Sequence, residues 1–386
     1  MGFELIHTPA ALIDHAQMSR NIARMQARME ALGVRFRPHV KTTKCVPIVR
    51  EQIAAGATGI TVSTLKEAEQ FFAEGIDDIL YAVGMVPAKL HQAAALVARG
   101  CALKLIVDNV EAARAIAEFG RTHRQVFEVW LEIDTDQHRS GLAPEGSALL
   151  EVGRALAGDG ANSGDSAQGG ARLGGVMTHA GSSYALSTPA ALQAMAEQER
   201  AGCVRAAERL RAAGLPCPVV SVGSTPTALS ARQLDGVTEV RAGVYVFFDL
   251  VMANVGVCAP TDIALSVLTT VIGHQRDKGW ALVDAGWMAM SRDRGTQAQV
   301  RDYGYGLVCD ALGQPLDAYV LSAANQEHGI VSRVGEADRT IVERFPVGTQ
   351  LRILPNHACA TGAQFPQYEV LGAGGAVQSW PRFYGW

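Results

Sequence analysis

Short apolar runs recur along the first two-thirds of this chain, separated by stretches of helical periodicity, and this alternation limits the folds open to it. After a run that ends near Val40, others stand at 59–63, 79–83, 103–107, 129–133, 175–178, 219–222 and 240–247. Between most of them the sequence suits helices. Met18, Ile22, Met25, Met29 and Leu32 form one stripe at helical spacing, 65–72 is helix-compatible, and Ser187-Thr188-Pro189 opens a long segment with proline where a first helical turn tolerates it. Strand and helix repeated about eight times predict a (β/α)8 barrel. A doubly wound open sheet is the alternative, but no G-x-G-x-x-G follows the first strand.

Beyond about residue 255 the helical stripes fade. Runs at 263–272, 280–283, 318–321, 350–354 and 368–371, with turn signals at Gly348 and Gly372-Ala373-Gly374-Gly375, predict an antiparallel β-domain. A barrel of about 250 residues plus this smaller module accounts for the length. The expected boundaries are 8–252 for the barrel and 253–386, with residues 1–7, for the β-domain. The stretch from about 155 to 171 is small, polar and without period, which reads as a mobile surface loop.

A net charge of -4 offers no electrostatic footprint for nucleic acid or an anionic membrane, so the expected partner is a small molecule. The cysteines, at 45, 101, 203, 217, 258, 309 and 359, are odd in number and include no Cys-x-x-Cys pair, which argues against a disulfide framework and for a reducing cytoplasm. Neither a signal-like start nor an apolar segment of about 18 residues is present, and no membrane span is expected.

Polar residues cluster where the predicted strands end, the face on which barrels assemble chemistry. Lys41, in Arg37-Pro38-His39-Val40-Lys41-Thr42-Thr43-Lys44, stands at such an end. A lysine there can form a Schiff base with an aldehyde cofactor such as pyridoxal phosphate, or can simply be a solvated residue capping a strand. Asp134-Thr135-Asp136-Gln137-His138-Arg139-Ser140-Gly141, Thr178-His179-Ala180-Gly181-Ser182-Ser183-Tyr184 and Ser221-Val222-Gly223-Ser224-Thr225-Pro226-Thr227 end three further strands. The Gly223-Ser224-Thr225 turn and the run Arg241-Ala242-Gly243-Val244-Tyr245 can offer backbone N–H groups and hydroxyls to a phosphate. Each also has an ordinary reading, a common turn or a structural ion pair.

Near the end, Leu354-Pro355-Asn356-His357-Ala358-Cys359 places a histidine and a cysteine two residues apart. On a strand both would face one side and could share an ion, with sulfur and imidazole favouring zinc. The alternative is a buried free cysteine beside a histidine satisfied by hydrogen bonds.

Taken together, Arg37-Pro38-His39-Val40-Lys41, Thr178-His179-Ala180-Gly181, Gly223-Ser224-Thr225-Pro226, Arg241-Ala242-Gly243-Val244-Tyr245 and Pro355-Asn356-His357-Ala358-Cys359 resemble the fold-type III pyridoxal phosphate enzymes that act on D-amino acids. That group includes D-threonine aldolase and metal-activated D-serine dehydratases, and the resemblance runs from Thr8 to Trp386. It implies a barrel of alanine racemase type and a homodimer. It also implies roles for particular residues. Lys41 would carry the cofactor, Arg139 would lie near its phenolic oxygen, His179 against its ring and Tyr184 near its ring nitrogen. Gly223, Ser224, Thr225, Gly243 and Tyr245 would hold the phosphate. His357 and Cys359 would bind a divalent ion, zinc or manganese, with cobalt and nickel as other choices. Aldolases of the group carry His-x-Asp at that place, so Cys359 implies the dehydratase branch. Runs 61–69 and 325–329 resemble dehydratases acting on 3-hydroxyaspartate. The implied reaction is removal of water from a D-β-hydroxy amino acid, with D-threo-3-hydroxyaspartate giving oxaloacetate and ammonia. D-Serine dehydration and D-threonine cleavage are the alternatives within the group, and a non-catalytic pyridoxal phosphate-binding protein is the alternative outside it. Arg292 or Arg294, in Ser291-Arg292-Asp293-Arg294-Gly295, could meet a second substrate carboxylate.

Overall fold

The computed structural model describes residues 6–157 and 170–386, which divide into two compact units. One comprises Met25–Lys41 and Gln52–Gly243 with the last two residues; the other comprises the chain up to Arg24, Thr42–Glu51 and Val244–Tyr384.

The first unit is built on eight parallel strands. Their order round the sheet is Arg35–Pro38, Glu239–Ala242, Val219–Val222, Ala171–Thr178, Phe127–Ile133, Ala102–Val107, Asp78–Gly84 and Ile60–Val62. A parallel bridge between His39 and Thr61 closes the ring, so the expected (β/α)8 barrel is present. Strands covered on both faces are buried along most of their length, which is why Val129 to Ile133 reads as one apolar run. Leu80, Ile106, Trp130 and Met177, from four neighbouring strands, pack as one cluster. Helices return between the strands, and their starts are capped as the sequence allows. Thr64 accepts from the Glu67 N–H, Asn109 from Ala112, and Thr188 from Ala191 with Pro189 in the first turn of Pro189–Ala212.

Buried charge fixes the seam of the barrel. Arg37 Nε lies 3.1 Å from both carboxylate oxygens of Glu239, and its Nη1 lies 2.7 Å from Asp78 Oδ1. Burial lowers the guanidinium pKa, but Glu239 and Asp78 outweigh it and the net shift is upward. One residue therefore ties three strands together, two places before His39, whose N–H donates to the Ala242 carbonyl at 2.8 Å.

The second unit holds nine strands, in the order Trp280–Val283, Gly329–Arg333, Pro315–Ala324, Gly306–Cys309, Gln350–Pro355, Leu265–Gln275, Ala10–Asp14, Gln367–Leu371 and Val377–Pro381. Leu265–Gln275 also pairs with Trp280–Val283, which closes the first six into a ring. Among the described residues these strands pair antiparallel, except Ala10–Asp14 with Gln367–Leu371. The apolar strand Ala10–Asp14, which precedes every barrel strand in the sequence, thus belongs to this sheet. Of the stretch expected to be a loop, 155–157 end the helix Ser147–Ala157 and Ala171 begins a strand, while 158–169 lie outside the described residues. Among the described residues no helix is long and apolar enough to cross a membrane.

Candidate active site

The chain leaves its first barrel strand at Pro38, makes the bridge at His39 and enters a 3-10 turn, Val40–Thr42, with Lys41 exposed at its centre. Lys41 therefore projects from a rigid turn three residues past the strand end. The His39 ring faces this turn, with Nδ1 3.5 Å from the Lys41 N–H and Nε2 3.5 Å from Ser63 Oγ. Burial first, then the positive charges of Lys41, Arg241 and His179, hold His39 well below the usual imidazole range.

His179 follows the strand Ala171–Thr178, and its Nδ1 lies 3.2 Å from the Gly223 carbonyl oxygen. A carbonyl only accepts, so Nδ1 carries the proton and Nε2 is left as an acceptor. Burial lowers the ring pKa to about 4, and the charges of Lys41, Arg139 and Arg241 add to the effect. The Tyr184 ring stands 6.1 Å from that of His179, on the 3-10 turn Gly181–Ala185. Arg139 is exposed, and its Nη2 is 3.5 Å from Glu132, whose carboxyl is raised by burial.

The turn after Val219–Val222 is stiff. Gly223 has φ +128°, and a Cβ there would meet the Arg241 carbonyl oxygen at 2.3 Å, so only glycine fits. Ser224 caps the short helix Thr225–Ser230 in a reciprocal capping box with Thr227, and Ser183 Oγ lies 2.9 Å from Ser224 Oγ. Gly243 follows the last strand directly. Tyr245 falls in the other compact unit, buried in the 3-10 turn Val244–Val246. An exposed amine on a fixed turn, a neutral imidazole and a glycine-bound backbone loop fit an aldehyde cofactor that carries a phosphate.

The second candidate cluster lies wholly in the strand-rich unit. The expectation that His357 and Cys359 share a strand is corrected here. The strand Gln350–Pro355 stops at Pro355, His357 caps the helix Ala358–Gly362, and Cys359 lies in its first turn. Buried Asn356 causes the break. Its side-chain N–H donates to the Gly304 carbonyl at 2.7 Å, and its Oδ1 accepts from Thr296 Oγ1 at 3.1 Å. Asp249, also buried, accepts from the Ala358 N–H at 3.0 Å and holds the new helix start. The two side chains still interact.

His357 Nδ1 lies 2.5 Å from Asp293 Oδ2. Burial alone would lower this imidazole, but the hydrogen bonds to Asp293 and Cys359 and the charges of Cys359 and Asp249 raise it to about 11. With Nδ1 held by a carboxylate, Nε2 is the donor left for a metal, the orientation in which histidine ligands are usually held. The Cys359 thiol donates to Thr42 Oγ1 at 3.2 Å. Among the described residues no three His, Cys, Asp or Glu side chains gather round one point, so the donor set is one nitrogen and one sulfur. Such a pair fits a borderline divalent ion whose other positions are open. All seven cysteines are free. Burial raises Cys45 and Cys309 to about 12 and Cys101 and Cys217 to about 11, and it raises Cys203 and Cys258 as well.

Residues 13–251 match the family described as alanine racemase, N-terminal domain. The chain belongs to the alanine racemase N-terminal domain family. Residues 264–371 of this family member match a second description, putative serine dehydratase domain. It is 68% identical to D-threo-3-hydroxyaspartate dehydratase of Delftia sp. (strain HT23), over 99% of this chain and 98% of that protein. It is 29% identical to D-serine dehydratase of Dictyostelium discoideum, over 95% and 93% of the two chains. The solved structure of the Delftia dehydratase superposes with a TM-score of 0.96 at 67% identity, covering 99% of each chain. Two solved variants of D-threo-3-hydroxyaspartate dehydratase are also similar at 67% identity, one with a histidine and one with a cysteine replaced by alanine, the latter in the metal-free form.

Three residues of this racemase-family chain escape a reading of motifs. Glu199, buried within the helix Pro189–Ala212, accepts from the Gly223 N–H at 3.1 Å and the Ala180 N–H at 2.9 Å, which locks two of the predicted loops together. Asp293 lies between the two arginines singled out in the sequence. Asp249 caps a helix more than a hundred residues before the His357 segment that it holds. Each carries a plain carboxylate in an unremarkable local pattern, and only the tertiary fold gives it a partner.

Proposed function

We propose that this chain is a pyridoxal phosphate- and divalent metal-dependent dehydratase of a D-β-hydroxy amino acid, converting D-threo-3-hydroxyaspartate to oxaloacetate and ammonia. The observation that carries the reading is the His357 and Cys359 pair. It joins imidazole and sulfur with Nδ1 tied to Asp293. The two positions replaced in the solved dehydratase variants, one of them metal-free, are likewise a histidine and a cysteine two residues apart. The match to a serine dehydratase domain over 264–371 supports the same branch. On this reading 8–252 serves the cofactor, and 253–386 with residues 1–7 carries the metal.

Pyridoxal phosphate, when bound, would supply an electron sink for the substrate's α-carbon, and a divalent ion would supply charge stabilisation for a hydroxide leaving group. The chain's own residues do the rest. Lys41 would hold the cofactor and, once free of it, would be the base placed to take the α-proton. His179, kept neutral by burial, would lie against the cofactor ring without adding charge to it. Arg139 serves the phenolic oxygen and Tyr184 the ring nitrogen, while Gly223, Ser224, Thr225, Gly243 and Tyr245 receive the phosphate. His357 and Cys359 hold the ion, zinc or manganese. Without the ion, the Cys359 thiol donates to Thr42 Oγ1, a proton that metal binding would displace. A homodimer working in the cytoplasm is part of the proposal.

The test is product formation from D-threo-3-hydroxyaspartate, D-serine and D-threonine, with and without a chelator and with zinc or manganese restored. Oxaloacetate from the first substrate, lost with the chelator and regained with metal, is the expected result. Glycine from D-threonine would move the chain to the aldolases. A bound cofactor chromophore without turnover would make it a cofactor-binding protein.

A further inference from the structure

Arg292 lies in a turn whose every neighbour is fixed. The turn follows the short helix Trp287–Met290, whose start is pinned to the segment singled out at 325–329. The Trp287 N–H donates to the Asn325 carbonyl at 2.9 Å, and the Met288 N–H donates to the Gln326 carbonyl at 3.1 Å. The two backbones run so close that a Cβ on Gly286 would sit 2.3 Å from the Gln326 carbonyl oxygen. Over the indole so placed lies the Arg292 guanidinium, 4.6 Å from the ring centroid. Ser291, buried, adopts φ +71°, a strained backbone for a residue with a side chain, and this reverses the chain just before Arg292. On the other side Asp293 is committed to His357 at 2.5 Å.

Arg292 is exposed and has no carboxylate partner among the described residues, whereas Arg294 lies 2.8 Å from Asp302 and over the Tyr305 ring. We infer that Arg292 receives the substrate's second carboxylate and selects a D-3-hydroxy dicarboxylate over D-serine. The inference rests on the function proposed above. In 3-hydroxyaspartate one carbon bears both the hydroxyl and the second carboxylate, so an ion on His357 and Cys359 that holds the hydroxyl brings the carboxylate to the same place. Asp293 and Asp249 already put negative charge beside His357, so even with a divalent ion bound a further carboxylate there gains from a second cation. Arg292, adjoining Asp293, is that cation. A guanidinium stacked on indole keeps its charge and presents a planar fork that matches a carboxylate. D-Serine has only hydrogen at the corresponding position and gains nothing from the fork.

The test compares the holoenzyme with R292L, R292Q and R292K. One measurement is the ratio of kcat/KM for D-threo-3-hydroxyaspartate to that for D-serine. The other is calorimetric binding of D-aspartate against D-alanine, neither of which has a hydroxyl to lose. In R292L and R292Q both preferences for the dicarboxylate fall by about 10- to 100-fold, the cost of removing one partner of a charge-assisted pair that stays partly in water. R292K, which keeps the charge without the fork, recovers part of each. An active wild type whose selectivity and binding preference are unchanged in R292L and R292Q overturns the assignment alone. A wild type that releases no oxaloacetate overturns the functional reading and the assignment together.

Discussion

His179 and His357 are the same side chain in two regions of one molecule, and their surroundings drive them to opposite charge states. Both lose water. Burial lowers His179 to about 4, where the Gly223 carbonyl is its hydrogen-bond partner and the charges around it are positive. Burial also acts on His357, whose side chain stays 41% exposed, but Asp293 at 2.5 Å, with Cys359 and Asp249, raises it to about 11. Desolvation sets the cost of ionisation in each case, and the charge of the nearest partner decides whether the cost is met. The barrel region thus offers a neutral, fixed imidazole against which a planar ring can lie. The strand-rich region offers a polarised one, in which a cation can take the proton's place.

The contrast can be broken outright by H357A, which removes the nitrogen donor. Activity is expected to fall by about 1,000-fold or more, with metal content falling beside it, a loss of several kcal/mol of transition-state stabilisation. Elemental analysis with steady-state kinetics checks this. The barrel side predicts a different experiment. A histidine held neutral in the fold gives stability that is fully present above its unfolded pKa of 6.5 and is lost as pH falls toward about 4. In cofactor-free protein this is worth up to about 3 kcal/mol across that window. Chemical denaturation at pH 7 and pH 4.5 should show it, and H179Q should flatten it.

Smaller effects sharpen the comparison. D293N takes the carboxylate from His357 Nδ1, so metal affinity should drop by about 10- to 100-fold by isothermal titration, while His179 and the cofactor side stay as they are. Because the raised His357 must lose a proton to coordinate, metal affinity in the wild type should climb with pH between 6 and 9. D293N should weaken that dependence.

The barrel was legible because its strands are short, apolar and regularly spaced, and because helix starts such as Thr188-Pro189 obey local rules. Lys41 and the Gly223-Ser224-Thr225 turn were legible for the same reason, since a strand end is a local event. The strands Gly306–Cys309, Gly329–Arg333 and Val377–Pro381 were not, being brief segments that pair with strands already formed. His357 and Cys359 could be paired from spacing, yet the strand proposed to hold them ends at Pro355, because buried Asn356 finds partners at Gly304 and Thr296. Asp293 and Glu199 had no signal at all. Their partners lie 64 and 24 residues away, at His357 and Gly223, and no window of sequence contains both.

The upward shift of six thiols has a practical reach beyond packing. A reagent that attacks thiolates at neutral pH finds Cys45, Cys101, Cys203, Cys217, Cys258 and Cys309 held in their protonated form. Cys359 is half-exposed at the start of its helix, beside His357. With Cys258, the other half-exposed thiol, replaced, the rate at which a maleimide labels Cys359 reads out occupancy of the His357 region without a substrate or a chromophore.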